Sequence, residues 1–444
     1  MYAKTFRKKG IHPPGNKEKT AALPIEVLPA PKKVVLPLSQ HIGAPAKPLV
    51  AVGDEVKPGQ KIGEAQGMVS ATLHASIGGK VTAIEERPHP AGKTVPAIVI
   101  ENTGSRELAP VPGVKPCRPL AEITADEIKE LMREGGLVGM GGAAFPTHVK
   151  YYPPAGKKIE YVILNGAECE PFLTSDHRLM LERPEAVLYG LKAMMKAAGA
   201  AKGYIGVELN KVDVIKVLQE KVKGDASIEI VPLQVKYPQG EEKMLIYAIT
   251  GRVVPAGGLP VDVGVVVNNV ATAAALADLL QTGKPLISRV ITVTGSGIKE
   301  PKNLEVPVGT LLEDVFAYCG GLKENAGKII LGGPMTGPAH YRLDLPVLKG
   351  TSGILVQTGE EVETKEYMDC IRCAKCIEAC PYSLLPNYLG LYGEKDRLEE
   401  AKKYGAMECR ECGSCTYVCP SRRPLTQWIK DVKRKIAAAE RKTG

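Results

Sequence analysis

Cys370, Cys373, Cys376 and Cys380, followed by Pro381, are matched by Cys409, Cys412, Cys415 and Cys419, followed by Pro420. The spacing of both runs, C-x2-C-x2-C-x3-C-P, is that of cubane iron–sulfur ligation. Three thiolates on a tight loop converge on one cluster, and the fourth, before the proline, reaches the neighbouring one. The expected ligand sets are therefore Cys370, Cys373, Cys376 and Cys419 for one cluster, and Cys409, Cys412, Cys415 and Cys380 for the other. Such a pair moves single electrons. Paired zinc sites would instead want two C-x2-C pairs across a longer span, and two complete four-cysteine runs suit iron–sulfur chemistry better. Only Cys117, Cys169 and Cys319 lie elsewhere, which is not a secreted disulfide framework and implies a reducing compartment.

A second group of residues is rich in glycine, amides and carboxylates. Gly139-Met-Gly-Gly-Ala-Ala-Phe-Pro-Thr-His-Val-Lys150 packs small residues ahead of Phe145 and Lys150. Small residues permit positive φ and close backbone approach, so the amides can face a phosphate or a planar ring. The pattern is neither G-x-G-x-x-G nor a P-loop, and alone it reads equally as a tight turn. Its company is more informative. Asn165-Gly-Ala-Glu-Cys-Glu-Pro171 sets Glu168 and Glu170 just past a strand, while Tyr237-Pro-Gln-Gly-Glu-Glu242 and Val267-Asn-Asn-Val-Ala-Thr272 add carboxylates and amides. The end of a strand is the ligand edge of an open α/β sheet. Cys169, between the two glutamates, reads either as a small filler or as a redox-sensitive thiol.

The elements that must position these residues follow from pattern. Strand-like 159–164, helical 184–198, strand-like 203–208, helical 213–223 and strand-like 227–233 alternate in β/α order, which predicts a parallel sheet covered by helices. Thr124 and Glu127 form a capping-box pattern for a helix ending at Gly135 and Gly136. Before it, short β-rich runs over 34–102 with turns at Gly53-Asp54 and Pro58-Gly59 look like a lipoyl or biotinyl barrel-sandwich. The stretch where such a carrier presents its modifiable lysine, Ala65 to Leu73, contains none, which disfavours a covalently attached swinging arm. Residues 287–320 read as a small α+β module, and 328–337 add a strand and a glycine turn.

The chain has 444 residues and a formal net charge of +9, which suits an anionic partner, although no nucleic-acid motif accompanies it. The most apolar stretch, Val263 to Leu280, is broken by Asn268, Asn269 and Asp278 and falls short of the ~20 residues that cross a bilayer. The basic N-terminus lacks a following apolar run, so it does not read as a secretory signal. Near the C-terminus, Trp428, Ile429, Val432 and Ile436 recur at helical spacing among basic residues. That helix either packs one face on the cluster domain or docks onto a membrane-bound partner or lipid.

The glycine loop, the Asn-x-x-Glu-x-Glu-Pro segment, the Gly-Glu-Glu turn and the Val-Asn-Asn-Val segment occur in the order found in the flavin- and NADH-binding subunit of respiratory complex I, which the chain resembles over about 120–420. It departs from that protein at Ala167 and Ala271, where complex I has acidic residues, and in carrying two cysteine runs. With the N-terminal barrel-sandwich and Leu331-Gly-Gly-Pro-Met-Thr-Gly337, the whole chain resembles the RnfC family of the Rnf electron-transport complex. The resemblance implies that Gly139, Gly141, Gly142 and Ala143 line an FMN and dinucleotide site and that Phe145 stacks on the nucleotide. It implies FMN contacts for Lys150, Asn165, Asn268, Asn269 and Thr272. Glu168, Glu170, Tyr237, Gly240, Glu241 and Glu242 fall around the isoalloxazine and nicotinamide rings, with Glu168 and Glu170 as the candidate catalytic carboxylates.

The expected fold is multidomain α/β and α+β. An extended arm (1–30) precedes a barrel-sandwich β domain (31–112) and a Rossmann-like FMN/NADH-binding α/β domain (113–284). A β-grasp, SLBB-type module (285–345), a linker (346–364), a helical two-cluster ferredoxin domain (365–425) and a basic C-terminal helix (426–444) follow. The implied activity is exchange of hydride between NAD(H) and FMN, with single electrons relayed through two [4Fe-4S] clusters. The implied partners are the other Rnf subunits, among them a ferredoxin-like iron–sulfur subunit and integral membrane subunits, and indirectly ferredoxin. No nucleic acid is expected, and the implied location is peripheral, on the cytoplasmic face of a bacterial or archaeal membrane. Two rivals stand beside this reading: a soluble FMN- and iron–sulfur-containing cobalamin reductase, which typically lacks the N-terminal module, and a flavin-free iron–sulfur scaffold.

Overall fold

Alternating burial along Lys33–Pro37, Gly79–His89 and Lys93–Asn102 forms an antiparallel sheet with Glu55–Val56. Lys47–Pro48, Lys61–Glu64 and Leu73–His74 face it as a second sheet. Val34, Leu36, Ile62, Val81, Ile98 and Ile100 fill the space between them. The computed structural model describes residues 2–6 and 9–443. Met1, Arg7, Lys8 and Gly444, which belong to the expected arm and C-terminal helix, lie outside the described residues. The hairpin that would carry a lysine in a swinging-arm domain is pinned: Thr72 Oγ1 donates to the carbonyls of Arg133 and Glu134 at 2.7 Å each, and the Met68 carbonyl faces His148 Nε2 at 3.1 Å.

The β/α alternation produces a four-stranded parallel sheet in the order Ile228–Leu233, Lys202–Glu208, Tyr161–Gly166, Val265–Asn269. The chain reverses direction across the sheet between Tyr161–Gly166 and Val265–Asn269, so a crevice opens at their carboxyl ends. The helix Ala125–Glu134 carries the expected capping box, and Pro184–Ala198 begins on its proline and ends at Gly199 with φ 66°. The apolar stretch around 263–280 becomes a fully buried strand, Val265–Asn269, and a helix, Val270–Thr282, capped by Asn269. That helix lies so close to Pro184–Ala198 that a Cβ on Gly190 would stand 1.9 Å from the Ala273 carbonyl oxygen.

The β-grasp region is larger than its pattern suggests. Its six-stranded sheet runs Ile25–Val27, Lys302–Pro307, Ser288–Gly295, Gly353–Thr358, Ala326–Leu331, Ala339–His340. Two expectations are corrected here. Residues 346–364 are not a plain linker, because Gly353–Thr358 pairs with Ser288–Gly295 and with Ala326–Leu331. Its Ile354 and Val356 are buried in the core with Ile291 and Leu304. The arm, too, is more than extended coil, since Ile25–Val27 forms the parallel edge strand of the same sheet.

Short helices Lys375–Ala379 and Ser414–Tyr417 follow the two cysteine runs. Pro386–Glu394, Leu398–Lys403 and Leu425–Thr443 bracket them. Ile429, Val432 and Ile436 are buried against Leu389, Ala401 and Ala406, so the apolar face of the last helix packs within its own domain. Among the described residues no helix is long and apolar enough to cross a membrane.

Candidate functional site

The carboxyl ends of the parallel strands gather the amides. Asn165 Nδ2 donates to the Gly240 carbonyl at 2.7 Å, and the Gly240 amide donates to Cys169 Sγ at 3.3 Å. The turn containing Tyr237, Gly240, Glu241 and Glu242 is thereby locked to the loop after Tyr161–Gly166. Across the crevice, Asn268 Nδ2 donates to the Tyr151 hydroxyl at 2.7 Å, and Asn269 Oδ1 caps its helix through the Ala271 amide at 2.8 Å. Lys150 Nζ reaches the Val267 carbonyl at 2.7 Å and Glu242 at 3.3 Å.

The glycine loop lies over the start of the helix Val270–Thr282, where the Met140 amide donates to Thr272 Oγ1 at 3.0 Å. Gly141 sits beside Asn269, and Gly142 adopts φ +110° with open space where a Cβ would point. Gly141, Gly142 and Ala143 are exposed, while Gly139 is tied back to the Phe145 carbonyl at 2.8 Å. The structure therefore brings Gly139 to Phe145, Lys150, Asn165, Asn268, Asn269 and Thr272 to one crevice. A cradle of small residues, open amides and a helix N-terminus fits the phosphate and ring of FMN.

The two glutamates behave differently from neighbouring loop carboxylates. Glu168, at φ 46°, turns inward and accepts from the Asp176 amide at 2.7 Å, at the start of the helix Ser175–Glu182. Glu170 is held by the β-grasp loop: the Met335 amide donates to Oε2 at 3.0 Å and the Thr336 hydroxyl to Oε1 at 2.5 Å. Burial pushes Glu170 above the usual carboxylate range despite those donors. Glu241 caps the helix Glu242–Thr250 through the Met244 amide at 3.0 Å and is likewise raised by burial. Burial also raises the Cys169 thiol, so this cysteine is a protonated filler and hydrogen-bond acceptor at rest.

Pattern did not single out Asp176. It accepts a 2.7 Å hydrogen bond from Asn269 Nδ2, and burial, then the Glu168 charge, push it up to about 7. Lys17 and Lys211, both buried beneath the Glu168 loop, were equally illegible, because an isolated lysine has no sequence signature.

In the C-terminal domain Cys380, Cys409, Cys412 and Cys415 line one pocket together with Pro381 and Tyr382. The second set shows in the electrostatics, where Cys376 responds to Cys419 and Cys370. Each fourth cysteine thus stands with the other run, as the spacing requires. Burial pushes the Cys409 thiol up to about 11 and Cys415 to about 12; a cationic iron core offsets that cost by binding thiolates. No group of three or more His, Cys, Asp or Glu among the described residues converges on a single-ion site, which suits thiolates that each take a different iron of a cubane. The two centres meet where Tyr237 Oη donates to the Cys412 carbonyl at 2.7 Å.

A Rossmann-like crevice wired to a dicluster domain defines a flavin iron–sulfur electron-transfer protein. Four family models divide the chain accordingly: RnfC Barrel sandwich hybrid domain over 4–105, Nuo51 FMN-binding domain over 132–278, SLBB domain over 290–339 and 4Fe-4S dicluster domain over 363–421. The chain is 48% identical to the RnfC-type component of the Na(+)-translocating ferredoxin:NAD(+) oxidoreductase complex of Acetobacterium woodii, covering 98% of each chain. It is 48% identical to the corresponding component of the proton-translocating complex of Clostridium ljungdahlii, over 98% of this chain and 95% of that one. Among solved structures, an NAD+-reducing [NiFe]-hydrogenase in the H2-reduced state matches with TM-score 0.51 at 20% identity. That match covers 73% of this chain and 65% of the hydrogenase chain, and at this identity it concerns fold alone. The chain belongs to the RnfC family of ion-translocating ferredoxin:NAD+ oxidoreductase complexes, related through its flavin domain to the FMN-binding subunit of complex I.

Proposed function

We propose that this chain is the peripheral NADH- and FMN-binding subunit of such a complex, exchanging hydride between NAD(H) and FMN and relaying single electrons through two [4Fe-4S] clusters. The observation that carries the reading is the Tyr237 to Cys412 hydrogen bond, which joins the flavin-type crevice directly to a cluster-binding loop. The similarity to both translocating relatives extends through the N-terminal module, which favours this reading over the soluble cobalamin reductase.

When bound, FMN supplies the interconversion of hydride and one-electron chemistry, and the cubanes supply one-electron carriage. The chain's own residues orient and insulate. Backbone amides of Gly139 to Ala143 and the N-terminus of the helix Val270–Thr282 favour the phosphate, with Lys150 adding positive charge at the crevice edge. Asn165, Asn268, Asn269 and Thr272 set the plane of the crevice, and Phe145 offers a ring for the nucleotide. Glu168 and Glu170 act by holding the loop and by their local field rather than by proton transfer, since hydride transfer needs orientation more than acid–base chemistry. Tyr237 ties Cys412, and with it the cluster of Cys380, Cys409, Cys412 and Cys415, beside the crevice. Partners of the ferredoxin-like and integral-membrane type, on the cytoplasmic face, follow from the family.

Anaerobic titration of the purified chain, reconstituted with FMN, tests this: NADH should bleach the flavin and then reduce the clusters. A flavin left fully oxidised by excess NADH would overturn it. Copurification from solubilised membranes tests the assembly.

A further inference from the structure

The N-terminal arm runs through the seams of the molecule. Lys4 pairs with the flavin sheet, its amide on the Pro232 carbonyl and its carbonyl taking the Gln234 amide, both at 2.9 Å. Ile11 exchanges hydrogen bonds with Tyr237 at 2.9 and 2.8 Å, and the Gly10 amide reaches Ala379 of the cluster domain at 3.2 Å. Gly15 then takes the Phe172 amide at 2.7 Å, which brings Lys17 under the loop that leaves the strand Tyr161–Gly166.

Lys17 is placed as no solvated lysine would be. Its side chain is 13% exposed, and its ammonium donates to the carbonyls of Glu168 and Glu170 at 3.0 Å each and to that of Leu173. Three donors meet three acceptors, which uses the whole capacity of the group. Glu168 Oε2 stands 3.9 Å away. A second buried ammonium, Lys211, takes the next carbonyl of the loop, Ala167, at 2.7 Å. Burial pulls the Lys17 ammonium below its ordinary value, opposed by the Glu168 charge.

The physical consequence is local. Glu168 occupies the left-handed region at φ 46°, a conformation that is unfavourable for a side-chain-bearing residue and persists only where the surroundings enforce it. Drawing the carbonyls of Glu168, Glu170 and Leu173 onto one cation enforces it. The same loop carries Cys169, which holds Gly240, and Gly240 in turn is held by Asn165. A change at Lys17 is therefore transmitted to the amides that face the crevice.

We propose that Lys17 is a positioning residue of the flavin site, through which the N-terminal arm, outside the flavin-binding domain, sets the conformation of the Ala167–Leu173 loop. The inference rests on the FMN reading above. Its role is geometric, so its loss appears in flavin affinity and flavin potential before it appears in the clusters.

The test uses the full chain with both clusters reconstituted. Lys17→Met should weaken FMN binding, measured by flavin fluorescence quenching, by about tenfold or more, as loss of charged hydrogen bonds implies. It should also shift the flavin reduction potential while leaving the electron paramagnetic resonance of both clusters intact. Lys17→Arg should recover much of the affinity. FMN affinity within about twofold of wild type and an unchanged flavin potential in Lys17→Met would overturn the proposal. Should that variant not fold, hydrogen exchange on the wild-type chain decides. Added FMN should protect the arm peptide 14–21 together with 167–173, and an arm peptide indifferent to FMN would overturn the proposal. Wild-type protein that binds no FMN would instead refute the functional reading.

Discussion

The hydroxyl of Tyr237 donates a 2.7 Å hydrogen bond to the carbonyl of Cys412, and both residues pack with Ile11 and Ala379 in one small apolar cluster. A residue of the flavin crevice and a cluster ligand thus share one dry contact. Tyr237→Phe leaves that carbonyl without its donor, at a cost of about 1–3 kcal/mol if it stays buried. The expected outcome is an altered paramagnetic signal and potential for the Cys380/Cys409/Cys412/Cys415 cluster, with the other cluster unchanged. Potentiometric titration followed by paramagnetic resonance would show it; identical behaviour of both clusters would count against the contact.

Exchange of the fourth cysteine between runs makes a paired prediction. Cys380→Ser should abolish the same cluster signal as Cys409→Ser, and Cys419→Ser the same signal as Cys370→Ser, although each pair comes from different runs. Flavin reduction by NADH should persist in all four. If Cys380→Ser instead matched Cys370→Ser, the ligand assignment would be wrong.

Gly142 has φ +110° and faces open space, whereas Gly92, at φ +77°, lies on a hairpin of the barrel-sandwich. Alanine at either position meets a backbone penalty of about 1–2 kcal/mol. Only Gly142→Ala should lower FMN affinity, by about tenfold, because only there does the new methyl enter the crevice. Equal effects of the two substitutions on flavin binding would sink the assignment of this loop.

Asp176 gives a pH dependence with a definite sign. Its folded value, about 7, lies above the ordinary 3.8, so the folded chain holds a proton that the unfolded chain releases. That contribution is complete below 3.8 and is lost as pH rises to about 7. Asp176→Asn should remove the decline, making the flavin-free protein more stable than wild type above neutrality by on the order of a few kcal/mol, and little different near pH ~4. Thermal unfolding across that range checks it.

Legibility differed between the two centres for a physical reason. Ligation of a cubane is local: three thiolates must come from one tight loop, so the spacing of Cys370, Cys373 and Cys376 is chemistry written in sequence order. Helix ends were legible likewise, as with Thr124 and Glu127, because a capping box closes within one turn. The strand Gly353–Thr358, by contrast, lay in an apparent linker, since its pairing with Ser288–Gly295 spans some sixty residues and leaves no local mark.

What the sequence determined by itself is the inventory: two cysteine runs, a small-residue loop, and amides and carboxylates at strand ends, all of which depend on neighbours in the chain. What the tertiary structure decided is their use. It turned Glu168 inward onto a helix start, gave Glu170 to the β-grasp loop, joined Tyr237 to Cys412, and put Lys17 beneath a loop some 150 residues away. Those contacts arise from burial between distant segments, where an unpaired polar group must find whatever partner the packing brings to it.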